Sequence, residues 1–338
     1  MPHRFGLAGL VLALVSALTF ATSGPFARSL LAAGWSAEAA VAVRVAVGAL
    51  VLAPPAAWAL RGRWHVLRRN LSTLGGFGLF AVVAAQACFF NAVNHLPVGV
   101  ALLLEYLGIL LVVGWMWAVH GQRPRRLAVA GSVAAVVGLV LVLDPTAAGD
   151  GPLDPVGVLW ALAAAVGLAC YFVISARSDE ELPPVVLASG GMAVGAAILG
   201  LLGLVGLVPL RATFESVELA GHRTSWWLPV AGLSLVAAVV AYLTGIGAAR
   251  LLDARLASFV GLTEVMFAVL IAWLVLDELP TLVQLAGGAL IVTGVALVRL
   301  DEWRQPPRIR GGPSRRGDAG PRRDPAAAGG QPAGAPVA

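Results

Sequence analysis

Apolar side chains in this chain fill whole runs rather than alternating or keeping to one helical face, and short polar or Pro/Gly segments separate the runs. They cover residues 7 to 32, 37 to 60, 71 to 93, 98 to 119 and 126 to 143, then 155 to 176, 184 to 208, 226 to 249, 255 to 276 and 281 to 299. At a rise of about 1.5 Å per residue, each can cross a hydrocarbon layer of roughly 30 Å as a helix, straight or tilted. Lipid offers no partner to a backbone N–H or C=O, so a helix is the form that satisfies each run internally. The pattern predicts an all-α integral membrane protein with ten transmembrane helices.

Composition agrees. Of 338 residues, 59% are hydrophobic and 12% charged, with a mean hydropathy of +0.87. That leaves too few charged side chains to coat a soluble domain of this size, which excludes a soluble enzyme. The first run follows His3 and Arg4 and has a weak cleavage position at Ala21, the pattern of a signal peptide. We read it as a retained helix, because the charge pattern works only with ten spans.

All 23 basic residues are arginine. Four lie in 61 to 70, three in 121 to 126, and others at Arg4, Arg177, Arg250, Arg255 and from 299 onward, which places 19 on one side of a ten-span topology. The opposite loops hold only Arg211 and Arg223, while Arg28 and Arg44 fall inside spans. By the positive-inside bias both termini are cytoplasmic, in a multi-pass protein of the cell membrane. The pI of about 10.2 therefore reflects loops and tail, and no nucleic-acid partner is expected. Cys88 and Cys170 sit in apolar runs without CxxC spacing and are read as small core residues.

Shifted by 156 residues, Asn91 to Asp144 aligns without gaps on Gly247 to Leu300, pairing Trp117 with Trp273, Pro124 with Pro280, Gly131 with Gly287 and Gly138 with Gly294. Two five-helix halves follow, 7 to 143 and 155 to 300. An odd number of spans per half makes the second enter the membrane upside down. The aligned loops agree: GQRPRRL carries three arginines, DELPTLV two acids and none. Such inverted-topology repeats are a transporter architecture. With the inverted pair internal, a monomer is expected. The Pro-, Gly-, Ala- and Arg-rich segment 301 to 338 is read as a disordered cytoplasmic tail.

Ionisable groups within spans cost about 3 kcal/mol each on insertion scales and mark candidate function. Here they are Arg28, Arg44, Glu105 and Glu264. Glu105 and Glu264 lie about 10 to 14 Å deep at 1.5 Å per residue, near the midplane. The repeat sets Glu264 opposite Gly108, three residues from Glu105, so both acids occupy one face of related helices. Arg44 lies at a similar depth and is expected to contact Glu105. Arg28 follows Gly24 and Pro25, which should interrupt the first span. Gln86, Asn91, Tyr106, Tyr171, Tyr242 and Thr263 are further polar groups that could line a substrate cavity. The histidines fall in loops or at span ends. No metal cluster, Walker loop, nucleophile motif or GxGxxG turn is present in the sequence, and no cofactor is expected.

The segment around ALLLEYLG, within 92 to 113, and the segment from AARLLDARL to GALIVTGVAL, 248 to 297, resemble the end of each half of EamA-type transporters of the drug/metabolite transporter superfamily. ALLLEYLG is similar to the threonine/homoserine exporter branch. The family usually has a proline just after these positions, where this chain has Ile109 and Val265. The resemblance implies a ten-helix exporter of amino acids or other small polar metabolites, often exchanging protons, with Glu105, Glu264 and Arg44 at positions familiar in the family. Its partners would be a small-molecule substrate and the bilayer. Competing classes are a polytopic membrane enzyme acting on a lipid or isoprenoid, and a receptor or channel. The inner loops carry arginine without the clustered acids, histidines or metal ligands the former needs, and no filter or sensing domain supports the latter.

Overall fold

The computed structural model describes residues 2–120, 126–143, 153–177, 181–252, 260–278 and 280–303. The first apolar run is two helices, α1 (Pro2–Ala21) and α2 (Ser23–Ala32), parted at Thr22. Pro25 supplies no N–H, and the Thr22 hydroxyl donates to the Thr19 carbonyl at 2.6 Å, so the expected interruption falls just ahead of Gly24 and Pro25. Helix α3 (Ala37–Ala59) starts at Ser36, whose Oγ accepts from the Ala39 N–H. A short α4 (Trp64–Arg69) leads into α5 (Leu71–Gly76), a π-helical stretch at Phe77–Ala84 and α6 (Ala85–His95). The fourth run is again divided, into α7 (Val98–Tyr106) and α8 (Gly108–His120), and α9 (Arg126–Leu143) follows.

The second set begins with α10 (Pro155–Arg177) and α11 (Pro184–Leu204), the latter four residues shorter than its apolar run. A two-stranded hairpin, β1 (Ser216–Leu219) and β2 (His222–Ser225), departs from the all-α expectation. Its turn residues Ala220 and Gly221 both have positive φ, the geometry whose twist suits paired strands, and Val217 buries the inner face. Then come α12 (Trp227–Ala231), a second π stretch at Gly232–Val240, α13 (Ala241–Leu252), α14 (Thr263–Leu276) and α15 (Leu282–Trp303). Residues 301–303 extend α15, where a disordered tail was expected; the rest of that segment, loop 121–125 and Arg255 lie outside the described residues.

Among the described residues six helices are long and apolar enough to cross a membrane: Leu7–Ala32, Ala37–Ala59, Leu71–His95, Val98–Val119, Pro184–Leu204 and Trp227–Gly245. Four shorter apolar helices accompany them, Arg126–Val142, Pro155–Tyr171, Thr263–Leu276 and Leu282–Val298. The two π stretches end at Ala84 and Val240, positions the 156-residue offset also pairs. A π turn leaves backbone carbonyls less regularly bonded than an α turn, so its recurrence puts an adaptable segment at matching places.

Packing between the two sets also comes in matched pairs. Helix α1 lies on α13 as α10 lies on α6; α3 lies on the second π stretch as α11 lies on the first. Helices α3 and α11, α7 and α14, and α9 and α15 pack on their own counterparts. At the last of these, a Cβ on Gly131 would stand 2.5 Å from the Gly294 carbonyl oxygen, and one on Gly138 would stand 2.5 Å from that of Gly287. Since Gly131 corresponds to Gly287 and Gly138 to Gly294, each residue meets its partner's counterpart, the reciprocity of a two-fold interface.

Candidate functional site

Two interrupted helices, one from each set, cross where the sets pack together. Helix α7 stops at Leu107, whose N–H turns back to the Leu104 carbonyl, and α14 starts after a break at Leu262. The breaks lie two residues before Ile109 and three before Val265. The Tyr106 hydroxyl spans the crossing: it donates to Glu264 Oε2 at 3.0 Å and lies 3.4 Å from the Gly261 carbonyl oxygen. Glu264 occupies the first turn of α14, where the helix N-terminus favours a carboxylate.

Arg44 faces this crossing from α3, 4% exposed. Its guanidinium donates to Ser23 Oγ at 2.8 Å and to the Ala237 carbonyl at 3.0 Å, and it lies 5.8 Å from the centre of the Phe90 ring. The expected contact with Glu105 is not formed. Physically, the break at Thr22 presents the Ser23 hydroxyl and the second π stretch presents the Ala237 carbonyl, so the guanidinium is held by neutral acceptors. Glu105, Glu264 and Tyr242 remain within electrostatic range of it. Glu105 makes no hydrogen bond or ion pair among the described residues, and it is half-buried, as is Glu264. A fixed cation, two carboxylates and the hydroxyls of Tyr106 and Tyr242 thus converge where the two helical sets meet, an arrangement able to hold a small polar or zwitterionic molecule.

The other expected residues divide. Tyr242 stacks edge-on against Phe20 with ring centres 5.2 Å apart, and Tyr171 lies against Phe77 at 5.6 Å. Gln86, two residues beyond the first π stretch, buries Oε1 without a partner among the described residues. Asn91 is held by Glu38 at 3.3 Å and by the Ala87 carbonyl at 2.9 Å. Thr263 turns its hydroxyl back to the Val260 carbonyl at 2.7 Å, which commits its one donor and leaves it able only to accept. Arg28 stands away from the crossing: it bonds the Val93 carbonyl, lies 3.5 Å from that of Leu96, and pairs with Glu278 at 3.8 Å.

Glu278 was not among the expected residues, nor were Glu38, Ser23, His95 and Asp154. Glu278 accepts from the Val98 N–H at 2.9 Å, and His95 Nδ1 lies 2.7 Å from Asp154 Oδ2. The Val156 N–H holds the Asp154 carboxyl below the ordinary carboxylate range, with His95 adding to the effect. One signal for Glu278 was available, the acid in DELP where the first half has GQRP. For Ala237 there was none, since a carbonyl acceptor has no residue identity, and Ser23 is one of several serines in the apolar runs with nothing in its spacing to single it out. Among the described residues no three His, Cys, Asp or Glu side chains cluster to hold a metal ion.

The model of the EamA-like transporter family matches residues 7–144 and again 155–300. The chain belongs to the EamA-like transporter family. This EamA-like protein is 24% identical over 302 residues to an uncharacterized transporter of Archaeoglobus fulgidus, covering 89% of this chain and 97% of that one. It is 29% identical over 243 residues to the aromatic amino acid exporter YddG of Ancylobacter novellus, covering 71% of this chain and 78% of the exporter. A crystal structure 25% identical to it superposes with a TM-score of 0.55 over 88% of this chain and 97% of that chain. The EamA-like chain is thus a transporter and a membrane protein, with two copies of the family repeat.

Proposed function

We propose that this chain is a secondary active exporter of amino acids or related small polar metabolites, working by alternating access around the crossing of α7 and α14 and driven by protons. The observation that carries the reading is the convergence of Arg44, Glu105, Glu264, Tyr106 and Tyr242 on helix breaks contributed by both repeats. Half-helix ends near the midplane are where transporters of repeat architecture bind substrate and coupling ion. Matched packing and reciprocal glycine contacts support ten spans in two inverted halves, which the arginine distribution orients with both termini in the cytoplasm of a plasma-membrane protein. The likeness to an aromatic amino acid exporter favours amino acids over other metabolites.

The test is counterflow in proteoliposomes across a panel of amino acids, paired with ligand-dependent thermal stabilisation of the purified protein. At least one amino acid should exchange and raise the melting temperature. Failure of the whole panel in both assays would remove amino acids as the substrate class.

A further inference from the structure

At the end of the bundle that the arginine distribution assigns to the outside, three charged contacts converge on the turn 93–98, which joins α6 to α7. Arg28, from α2, donates to the Val93 carbonyl and reaches toward that of Leu96, the first in the last turn of α6 and the second in the link to α7. Glu278, beyond α14, accepts from the Val98 N–H, the first orphan donor of α7, and pairs with Arg28 at 3.8 Å. Asp154, ahead of α10, engages His95 and caps α10 through the Val156 N–H at 2.9 Å. Gly24 lies so close to Val98 that a Cβ would overlap its side chain, which brings α2 tightly against the same turn.

These contacts cross from the first repeat to the second. Asp277 adopts a left-handed conformation at the end of α14, with its N–H on the Trp273 carbonyl at 3.1 Å, and so redirects the chain to aim Glu278 at the turn. Both charged partners are substantially covered, with Arg28 34% and Glu278 17% exposed at the side chain. The repeat provides no acidic copy at the other end, because the residue aligned with Glu278 is Gln122.

We propose that the turn 93–98 is the outer gate of the transport pathway, latched by Arg28 and Glu278 across the two repeats, and that the latch must open for substrate to leave outward. Glu278 is suited to this role because it satisfies a backbone donor and a guanidinium at once. Losing that one carboxylate frees the Val98 N–H and leaves Arg28 with carbonyl acceptors in place of its anion. The His95–Asp154 contact clasps the same turn to α10, and Glu38, Asp277, Glu215 and Glu218 are further acids on the described segments assigned to this end. The proposal rests on the transporter reading and on the assigned orientation, but not on any choice of substrate.

The experiment is pulsed electron–electron resonance between nitroxide labels at Asn94 and Leu282, both exposed, in the full chain reconstituted in nanodiscs with Cys88 and Cys170 replaced by alanine. The unmodified latch should give a dominant short distance and a minor longer one. Glu278→Gln, and separately Arg28→Gln, should raise the ratio of long to short populations by about threefold to tenfold, as loss of a charged hydrogen bond biases a two-state element. Asp154→Asn should shift it in the same direction by less. A single unchanged distribution in all variants, each confirmed as folded by size-exclusion profile and melting curve, would overturn the gate. A shift without transport of any amino acid would leave the gate standing and remove the proposed substrate class.

Discussion

Tyr106 and Glu264 join the two repeats at their crossing: a hydroxyl from the last residue of α7 donates to a carboxylate in the first turn of α14 at 3.0 Å. The bond ties one helix break to the other, so whatever moves α14 must also move or release α7. Replacing Tyr106 with phenylalanine keeps the ring and removes only the donor. We expect a loss of about 1–3 kcal/mol in stability, the range for a hydrogen bond to a charged group, together with slower transport. Melting curves and initial rates of Tyr106→Phe check this; wild-type values in both would mean the bond carries nothing.

How much of this was legible beforehand depended on whether the signal lay in side-chain identity. Apolar runs, the repeat and the depth of Glu105 and Glu264 follow from residue types at known spacing, and the resemblance in ALLLEYLG pointed to the family that two repeat matches then showed. The break at Thr22 was visible from Gly24 and Pro25, whereas those at Leu107 and Leu262 carry no proline, and Gly108 and Gly261 beside them are two of many glycines in the chain. The hairpin at 216–225 was legible in principle, through an Ala–Gly turn between short strands, but it is too short to register in a search for spans. Partners of Arg44 were not legible, because one is a carbonyl exposed by a π turn.

The geometry of Arg44 reassigns its energetic coupling. With its guanidinium on Ser23 and Ala237, removal of Ser23 Oγ should leave a buried donor unpaired, while Glu105 interacts only through space. Double-mutant cycles of Arg44→Met with Ser23→Ala and with Glu105→Gln should therefore differ. We expect an interaction term of about 1–3 kcal/mol for the first and a smaller one for the second. The reverse order would restore a direct Arg44–Glu105 pair.

The glycine contacts between α9 and α15 set the distance between those helices. A Cβ on Gly138 has no space against the Gly287 carbonyl, and Gly131 is placed likewise against Gly294. Here the absent side chain matters for close approach, as φ is ordinary at all four positions. Gly138→Ala should cost about 1–3 kcal/mol through overpacking, whereas Gly114→Ala on α8, with open space at its Cβ, should cost far less. Equal melting temperatures for the two variants would show that α9 and α15 are not held at this separation.

If transport is proton-coupled as proposed, place and partner make Glu264 the expected coupling group. It lies at the helix crossing, is half-buried, and among the described residues is held by a single side-chain hydrogen bond, from a tyrosine that can equally accept from a protonated carboxyl. Glu105 is less tied to the crossing, since among the described residues no bond links it across the repeats. A carboxyl that exchanges its proton when access alternates would couple the gradient to substrate movement, and Gln reproduces its shape without titrating. Glu264→Gln should accordingly retain substrate exchange at equal pH on both sides and lose accumulation driven by a proton gradient. Glu105→Gln, measured beside it, should keep gradient-driven accumulation even if its affinity for substrate falls. Proton-driven accumulation at the wild-type level in Glu264→Gln liposomes, at matched protein content, would exclude Glu264 as the coupling group.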